Sequence, residues 1–508
     1  MIRFSHLLLL FLGLVLLYSL GNWSLPLIDR DEPRFAEASR EMRQSGDFII
    51  PRINGNYRFD KPPLTYWCQA AAFAVLGEND FAVRFPSALF AAATAIVTAA
   101  WGARLYGPNV GFWAGLVFGT CLQVFIHARA GVADMPMAFF FLTASWIGWE
   151  RLRNPDSAKP SPRPLGLQAH RSTGGGSPES TVLWLCFYAS LALGFLAKGP
   201  VALLPIFSPP LSAWISGTRY RLQAASALGG LLVATFIIGL WGIPALLLTH
   251  GEFFSVGIGK HVLRRSIEPM ESHGGGGLLG YFALLPFYLI SIFFSFFPWC
   301  VFLPSAIRQL RSRREPPENY LLCTIVPVFI VFTLIQTKLP HYILPCFPML
   351  SILVARQVAQ SRWAVRIVGI IIAIYLGVTL AGFPAIAPYF PSRAIVEAVQ
   401  PDLRVEMRTA SVGYDEQSLV WYLRATTKAF HVRLQPGDFS HFMTAAGPAL
   451  CVVSKEKLQS LTIDPAWRSF QRQGYNFARW RLERTQLLGI TVSLPLPQMV
   501  DLVAFVKE

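Results

Sequence analysis

Residues 3–42 read R-F-S-H-L-L-L-L-F-L-G-L-V-L-L-Y-S-L-G-N-W-S-L-P-L-I-D-R-D-E-P-R-F-A-E-A-S-R-E-M. This stretch decides between a soluble chain and a membrane chain. Leu7–Leu20 is one apolar run behind Arg3, and the chain then turns abruptly to alternating acids and bases. An apolar run behind a positive charge is also how a secretory leader begins. No small-x-small cleavage site follows, and the chain passes through Asn22-Trp23 into a polar loop. The run therefore reads as an uncleaved first span, about residues 5–23, with a charged segment 24–80 emerging on the far side.

The rest of the chain repeats this pattern. It is 53% hydrophobic and 14% charged over 508 residues, against about 25% charged in an average soluble domain. Apolar runs of span length recur near 82–101, 109–127, 133–150, 181–197, 200–216, 224–249, 285–307, 319–336, 341–358 and 366–388, giving about eleven spans with room for two more. A soluble globule, a disordered chain, a fibre and a disulfide-stapled module are excluded. A β-barrel does not suit continuous rather than alternating runs. The expected class is an α-helical polytopic membrane protein. Its seven cysteines sit mostly inside apolar runs without a C-x-x-C, as small buried residues.

The net charge of +15 fits basic cytoplasmic loops rather than nucleic acid. Arg3, Arg104, the stretch Arg151–Arg171, Arg219 with Arg221, Arg308–Arg314 and Arg356–Arg366 fall on one side under the eleven-span count. That side is cytoplasmic by the positive-inside rule. The segment 24–80, the turn at 128–134, the loop 250–277 and everything after about 390 then lie outside. Residues 151–180, rich in Pro and containing Gly174-Gly175-Gly176, read as a cytoplasmic linker. No internal repeat is found.

Residues 391–508 differ in kind. Ala410–Gly413, Leu450–Ser454 and Leu488–Leu494 read as strands, and Glu416–Ala425 and Phe439–Ala446 as helices. That predicts a small extracytoplasmic α/β domain behind a membrane domain spanning 1–390.

Chemistry concentrates on the outer face. Glu32–Met42 suits an amphipathic helix along the interface, with Pro33 in its first turn and Phe35, Ala38 and Met42 on one side. Pro63–Leu76 reads as a second interfacial helix. Most charges of the segment read as a solvated, self-neutralised surface. Asp31, Glu32 and Lys61 differ, because they abut span ends. Asp134 stands at the outer end of a span, where a carboxylate is costly unless paired or wetted; it reads either as a functional acid or as a helix cap. Lys198 lies alone between two apolar spans, functional or snorkelling. Lys260, Arg264 and Arg265 form a cationic cluster suited to a phosphate at the membrane face, whether a substrate's or a lipid headgroup's. Lys338, His341 and Tyr342 mark another outer span end.

The motifs D-E-P-R-F-A-E from Asp31, F-D-K-P-P from Phe59, A-D-M-P from Ala133, L-A-K-G-P from Leu196, K-H-V-L-R-R from Lys260, H-G-G from His273 and L-P-H-Y-I-L-P from Leu339 follow in order. As a set they resemble the bacterial aminoarabinose transferase (ArnT-like) family. Those enzymes are kin of the dolichyl-phosphate-mannose protein mannosyltransferases, and all are GT-C glycosyltransferases. The resemblance covers roughly residues 1–390. It implies a GT-C fold of 11–13 transmembrane helices. It implies a multi-pass protein of the bacterial inner membrane with its active site facing the periplasm. The donor would be a sugar on undecaprenyl phosphate and the acceptor a lipid or a protein, with no nucleotide cofactor. Asp31 matches the family's signature acid, Arg34 its nearby arginine, and Asp134 its second outer acid. Lys61, Lys198, Arg265 and Tyr342 match positions lining the lipid-phosphate cavity, and Arg264 adjoins them. Asp60 and His261 match positions linked to a divalent ion such as zinc. Asp60 stands where the family has Glu, and Phe35 where it has Tyr.

Under this reading the basic residues stabilise the phosphate leaving group. Asp31 deprotonates or orients the acceptor, and Asp134 holds the acceptor or tunes Asp31. Lipid A, a protein hydroxyl and another envelope glycan stay open as acceptors. The rival reading is a transporter or flippase of lipid-linked sugars. That class favours inverted repeats and charged sites near the midplane, neither of which the sequence carries.

Overall fold

The computed structural model describes residues 2–153, 178–217, 224–264, 277–487 and 490–508. Its first eight helices are α1 (Phe4–Ser19), α2 (Asp31–Ser45), α3 (Leu64–Leu76), α4 (Asp80–Tyr106), α5 (Pro108–Thr120), α6 (Leu122–Ala128), α7 (Asp134–Arg153) and α8 (Pro178–Lys198). Every apolar segment expected to span is helical. Among the described residues, Asp80–Tyr106, Thr181–Lys198, Ala227–Leu248, Pro316–Leu334 and Ala364–Tyr389 are each long and apolar enough to cross a membrane alone. Two bent pairs raise the number to seven: α5 with α6 at 64°, and Gly280–Ser295 with Trp299–Ser312 at 111°. Pro298 lies in the second break, where a missing N–H cannot continue the ladder.

Lipid gives helices no hydrophobic reason to associate, so close backbone approach has to do it. The α4 sequence is rich in alanine for this purpose. A Cβ on Gly111 of α5 would stand 2.4 Å from the Ala99 carbonyl of α4, so only glycine permits this crossing. Buried cations finish helix ends that water cannot reach. Arg129 donates to the carbonyls of Leu17, Tyr18 and Leu20 at 2.7–3.1 Å, closing the end of α1. Lys338 does the same for Pro316–Leu334, donating to the Phe332, Thr333 and Ile335 carbonyls.

Outside the bundle, α2 is followed by a two-residue hairpin. β1 (Arg52–Ile53) pairs antiparallel with β2 (Asn56–Tyr57). Asn54 and Gly55 form the turn with φ of +54° and +78°, the double left-handed geometry that Asn-Gly supplies.

The C-terminal α/β domain carries a five-stranded sheet in the order β4-β3-β5-β7-β6. β3 (Arg408–Val412) runs parallel to β4 (Val432–Leu434) and to β5 (Ala449–Ser454). β7 (Ile490–Lys507) is antiparallel to β5 and to β6 (Arg468–Leu487). Both faces of β5 are covered. Leu450 and Val452 pack with Ile395, Leu419 and Leu423, whereas Cys451 and Val453 pack with Phe439 and Met443. The expected strands near 410 and 450 and both expected helices are present. The third expected strand is part of a much longer β7, though its residues 488–489 lie outside the described ones. β4 and β6 were not expected.

One expectation is overturned. The charged face of α2 is not solvated, because the C-terminal domain docks on it. Glu37, Arg40 and Glu41 are buried at 0%, 1% and 5% exposure. Arg40 stacks 3.6 Å over the Trp421 ring and donates to the Trp421 carbonyl at 2.8 Å. Arg424 pairs with Glu37 and with Glu41. Across the same seam the Asn54 side-chain amide donates to the His431 carbonyl and accepts from the His431 N–H. A Cβ on Gly55 would meet the Phe430 ring at 3.2 Å. Gly55→Ala should therefore cost about 1–2 kcal/mol of stability, from the left-handed backbone and the crowding. Thermal unfolding of the purified protein checks this. Adding Phe430→Ala should restore only the crowding part.

Candidate functional site

The bundle end facing the C-terminal domain gathers most of the expected residues. Asp134 opens α7 and Lys198 closes α8. An acid at a helix N-terminus and a base at a helix C-terminus each suit the local dipole. The two helices pack side by side, and the Lys198 ammonium meets Asp134 Oδ1 at 2.5 Å with side chains 13% and 6% exposed. Asp134 is thus neither solvated nor a plain cap. The Tyr342 ring lies 5.6 Å from the same ammonium, and the His341 ring meets Tyr342 edge-on at 5.1 Å. His127 of α6 joins them, its ring centroid 4.9 Å from that of His341. His127 was not singled out in the sequence. Its signal was there: a histidine seven positions before Asp134, near the end of a mostly apolar segment.

Glu32 is spent on structure. Its carboxylate takes two bonds from the buried Arg84 guanidinium, at 2.8 and 2.9 Å, and one each from the backbone of Ile28 and Gly131 at 2.8 Å. This fork pins the first turn of α2 to α4 and to the loop before α7. Asp31, one residue earlier, is exposed and makes no ion pair or hydrogen bond among the described residues. Its charge is felt by Arg58 and Tyr66 on one side and by His127 on the other. It therefore stands between the Asp134–Lys198 cluster and the hairpin. Lys61 belongs to the first of these, since its charge acts on His341. Arg34, one turn along α2, is partly exposed on the hairpin side and lines a cleft there.

Of the expected metal pair, Asp60 and His261, only Asp60 has a described side chain. Asp60 carries Arg58 Nη2 3.6 Å from its carboxylate, a cation already in place. The side chains of His261 and Arg264 and the whole of Arg265 lie outside the described residues. His127, Asp134 and His341 do bring ligand atoms within 4.8 Å of one another, a donor set zinc accepts. The Lys198 ammonium already neutralises that carboxylate, so the residues fit a resident ammonium better than a resident metal.

The seam beside the site carries its own titratable group. Asp29 accepts from the Ser418 N–H at 2.9 Å and from the Ser418 hydroxyl. Burial, opposed by these bonds and helped by Glu416, pushes its carboxyl up to about 7. The folded state thus holds this proton more tightly than the unfolded chain does. The stability it contributes is full below the ordinary carboxylate range and is lost as pH rises through about 7. Melting temperature should fall as pH rises from the ordinary carboxylate range to about 7 and level off above it, and Asp29→Asn should flatten that slope. A slope unchanged in the variant would assign it to another group.

A family model described as dolichyl-phosphate-mannose-protein mannosyltransferase matches residues 60–156. The undecaprenyl phosphate-alpha-4-amino-4-deoxy-L-arabinose arabinosyl transferase of Edwardsiella ictaluri is 30% identical, the match covering 79% of this chain and 68% of that one. The protein of the same description from Enterobacter sp. (strain 638) is 27% identical over 83% of this chain and 72% of its own. A third, transferase 1 of Sodalis glossinidius, is 31% identical over 68% of this chain and 58% of its own. The crystal structure of ArnT from Cupriavidus metallidurans bound to undecaprenyl phosphate superposes with a TM-score of 0.73 at 18% identity, covering 98% of this chain and 97% of that one. The apo form of the same protein gives 0.70.

Proposed function

The chain belongs to the undecaprenyl phosphate-4-amino-4-deoxy-L-arabinose arabinosyl transferase family, and from that premise we propose that it transfers a sugar from a polyprenyl phosphate to an acceptor outside the cytoplasmic membrane. The observation that carries this reading is the placement of Asp31. It is an unpartnered carboxylate held rigidly by its neighbour Glu32, beside a cluster of cations able to receive a phosphate. In this reading residues 1–390 are the membrane catalytic domain, 391–508 form a periplasmic domain, and the site opens to the periplasm of a bacterial inner-membrane protein.

An acceptor oxygen attacks the anomeric carbon. The bond from that carbon to the donor phosphate oxygen breaks, and polyprenyl phosphate leaves with the electron pair. If the acceptor oxygen is a hydroxyl, Asp31 takes its proton. If it is an ionised phosphate, Asp31 orients it and steadies the positive charge developing on the sugar ring. Lys198 spends one N–H on Asp134, and an ammonium has three donors, so two remain for the leaving phosphate. The Tyr342 ring borders the same position, and Lys61, whose charge acts on His341, is assigned to it with Arg264 and Arg265 from sequence. Asp134 then acts through Lys198 as a positioning residue rather than on the acceptor. No nucleotide is required.

The test is release of free polyprenyl phosphate by the full-length protein in nanodiscs, over a panel of undecaprenyl-phosphate sugars with lipid A and with a serine-rich peptide as acceptors. Release that depends on acceptor establishes transfer and names both substrates. Flipping of the donor across liposomes without release would replace this reading with transport.

A further inference from the structure

The segment that presents Asp31 has no secondary structure of its own. Residues 21–30 join α1 to α2 without a helix or strand, so the buried backbone groups in it need separate partners. The membrane domain supplies the first of these. Arg84 donates to the carbonyls of Asn22, Leu25 and Pro26. From Leu27 onward the C-terminal domain takes over. The Leu27 N–H donates to the Tyr422 hydroxyl at 2.9 Å, and the Asp29 carboxylate accepts from the N–H and the hydroxyl of Ser418. Between them the Ile28 N–H is held by Glu32 of α2.

Ser418 and Tyr422 both lie on the short helix Gln417–Leu423. Four residues apart, they share one face and stand about 6 Å apart along its axis. Leu27 and Asp29 are two residues apart, about 6–7 Å in an extended chain. The loop therefore lies along that helix and is gripped at both ends. The grip is itself anchored. Tyr422 gives its own proton to Asp80 Oδ2 at 2.9 Å, and Trp421 donates to Asp80 Oδ1 at 2.9 Å. Asp80 opens α4 of the membrane domain. A hydroxyl has one proton, and Ser418 spends its proton on Asp29. Its oxygen then accepts from Ser392 at 2.6 Å, and Ser392 accepts from Tyr414 at 2.8 Å. Ser392, Tyr414 and Ser418 are all buried, so this row of hydroxyls is shielded from water.

We infer that Ser418 and Tyr422 are positioning residues for Asp31: the docked C-terminal domain fixes the loop just ahead of the acid, and its docking sets the activity of the transfer site. The inference rests on the transfer reading and names the regulation of that same site. The seam as a whole has other support, since Arg40 and Arg424 pair with Glu37 and Glu41 and Arg40 stacks on Trp421. Loss of a hydroxyl from Ser418 or Tyr422 should therefore loosen the loop without releasing the domain.

The experiment compares wild type with Ser418→Ala, Tyr422→Phe and the double variant, each full-length in nanodiscs and each also in the Asp31→Asn background. Ser418→Ala should lower kcat for polyprenyl phosphate release by about 10-fold and the double variant by about 10²-fold, because a reacting group displaced by about 1 Å loses that much. KM for the lipid-linked donor should stay within about 2-fold of wild type. In the Asp31→Asn background the same substitutions should change the residual rate by less than about 2-fold, since the group they position is gone. A general loosening of the structure would lower the rate by the same factor in both backgrounds. That result would overturn the assignment, as would an unchanged kcat in the double variant. Should Ser418→Ala fail to fold, Tyr422→Phe alone carries the same comparison. Amide hydrogen exchange reads the loop without any substrate. Leu27 should exchange about 10-fold faster in Tyr422→Phe, while the amides in the buried middle of α2 keep their wild-type rates. Wild type that transfers no sugar from any donor would remove the transfer reading alone. Exchange at Leu27–Asp31 unchanged in the double variant would remove the positioning role.

Discussion

Asp31→Asn should lower the rate of sugar transfer by about 10²- to 10⁴-fold, the range by which a positioned proton acceptor accelerates such a step. Asparagine keeps the size and loses the charge. Asp31 is exposed and makes no ion pair or hydrogen bond among the described residues, so the substitution removes no described contact and should leave thermal stability within about 0.5 kcal/mol of wild type. The loss should fall on kcat, with KM for the lipid-linked donor little changed, because the interaction is made only as the acceptor attacks. The size of the loss is itself informative. An acceptor hydroxyl needs its proton removed and should show the upper end of the range. An acceptor phosphate is already ionised and should show the lower end. Single-turnover release of polyprenyl phosphate measures this directly, and rates equal to wild type would take Asp31 out of the reaction. Glu32→Gln makes the contrast. It weakens the fork with Arg84 that pins α2, so it should lose stability first and activity only through it.

That contrast shows what the sequence could reveal. D-E-P-R presents two acids side by side, and composition treats them alike. Only the fold separates them, because Arg84 lies 52 residues away and the Gly131 N–H 99 away. The spans were legible because lipid demands long apolar helices, a local property. The outer motifs were legible because charges at span ends are costly and therefore few. The charged face of α2 was misread for the opposite reason. An Arg/Glu face at helical spacing looks the same whether water or another domain covers it, and its cover, Trp421 and Arg424, lies some 380 residues on. β6 was missed because its alternation is written in arginine and glutamine, as in R-S-F-Q-R-Q-G-Y, which composition reads as loop. His127 and Arg58 escaped for a simpler cause: each gains its meaning from partners that the chain brings back from elsewhere.

The Asp134–Lys198 pair should give the largest loss of stability. Both groups are nearly buried at the junction of α7 and α8, and removing one leaves the other as an uncompensated charge. Such a break costs about 3–5 kcal/mol. Asp134→Asn and Lys198→Met should each fall in that range. The double variant should be less damaged than the sum, with a coupling of about 1–3 kcal/mol, because the second substitution removes the orphan that the first created. Chemical denaturation in detergent measures all three. Activity should follow a different rule. If Asp134 works by holding Lys198 against the leaving phosphate, Asp134→Asn and Lys198→Met should lower kcat by similar factors, and the double variant should be no worse than Lys198→Met alone. Additive losses in kcat would mean that Asp134 touches the reaction through its own contacts. His127 and His341 sharpen the distinction. They flank the carboxylate, so in Lys198→Met they are left as its neighbours, whereas in Asp134→Asn they face the ammonium with no anion between. The two single variants should therefore differ in the pH dependence of their stability even where their activities agree. Lys198→Met should lose less stability than Asp134→Asn as the pH falls, because a protonated ring can replace the lost ammonium beside Asp134.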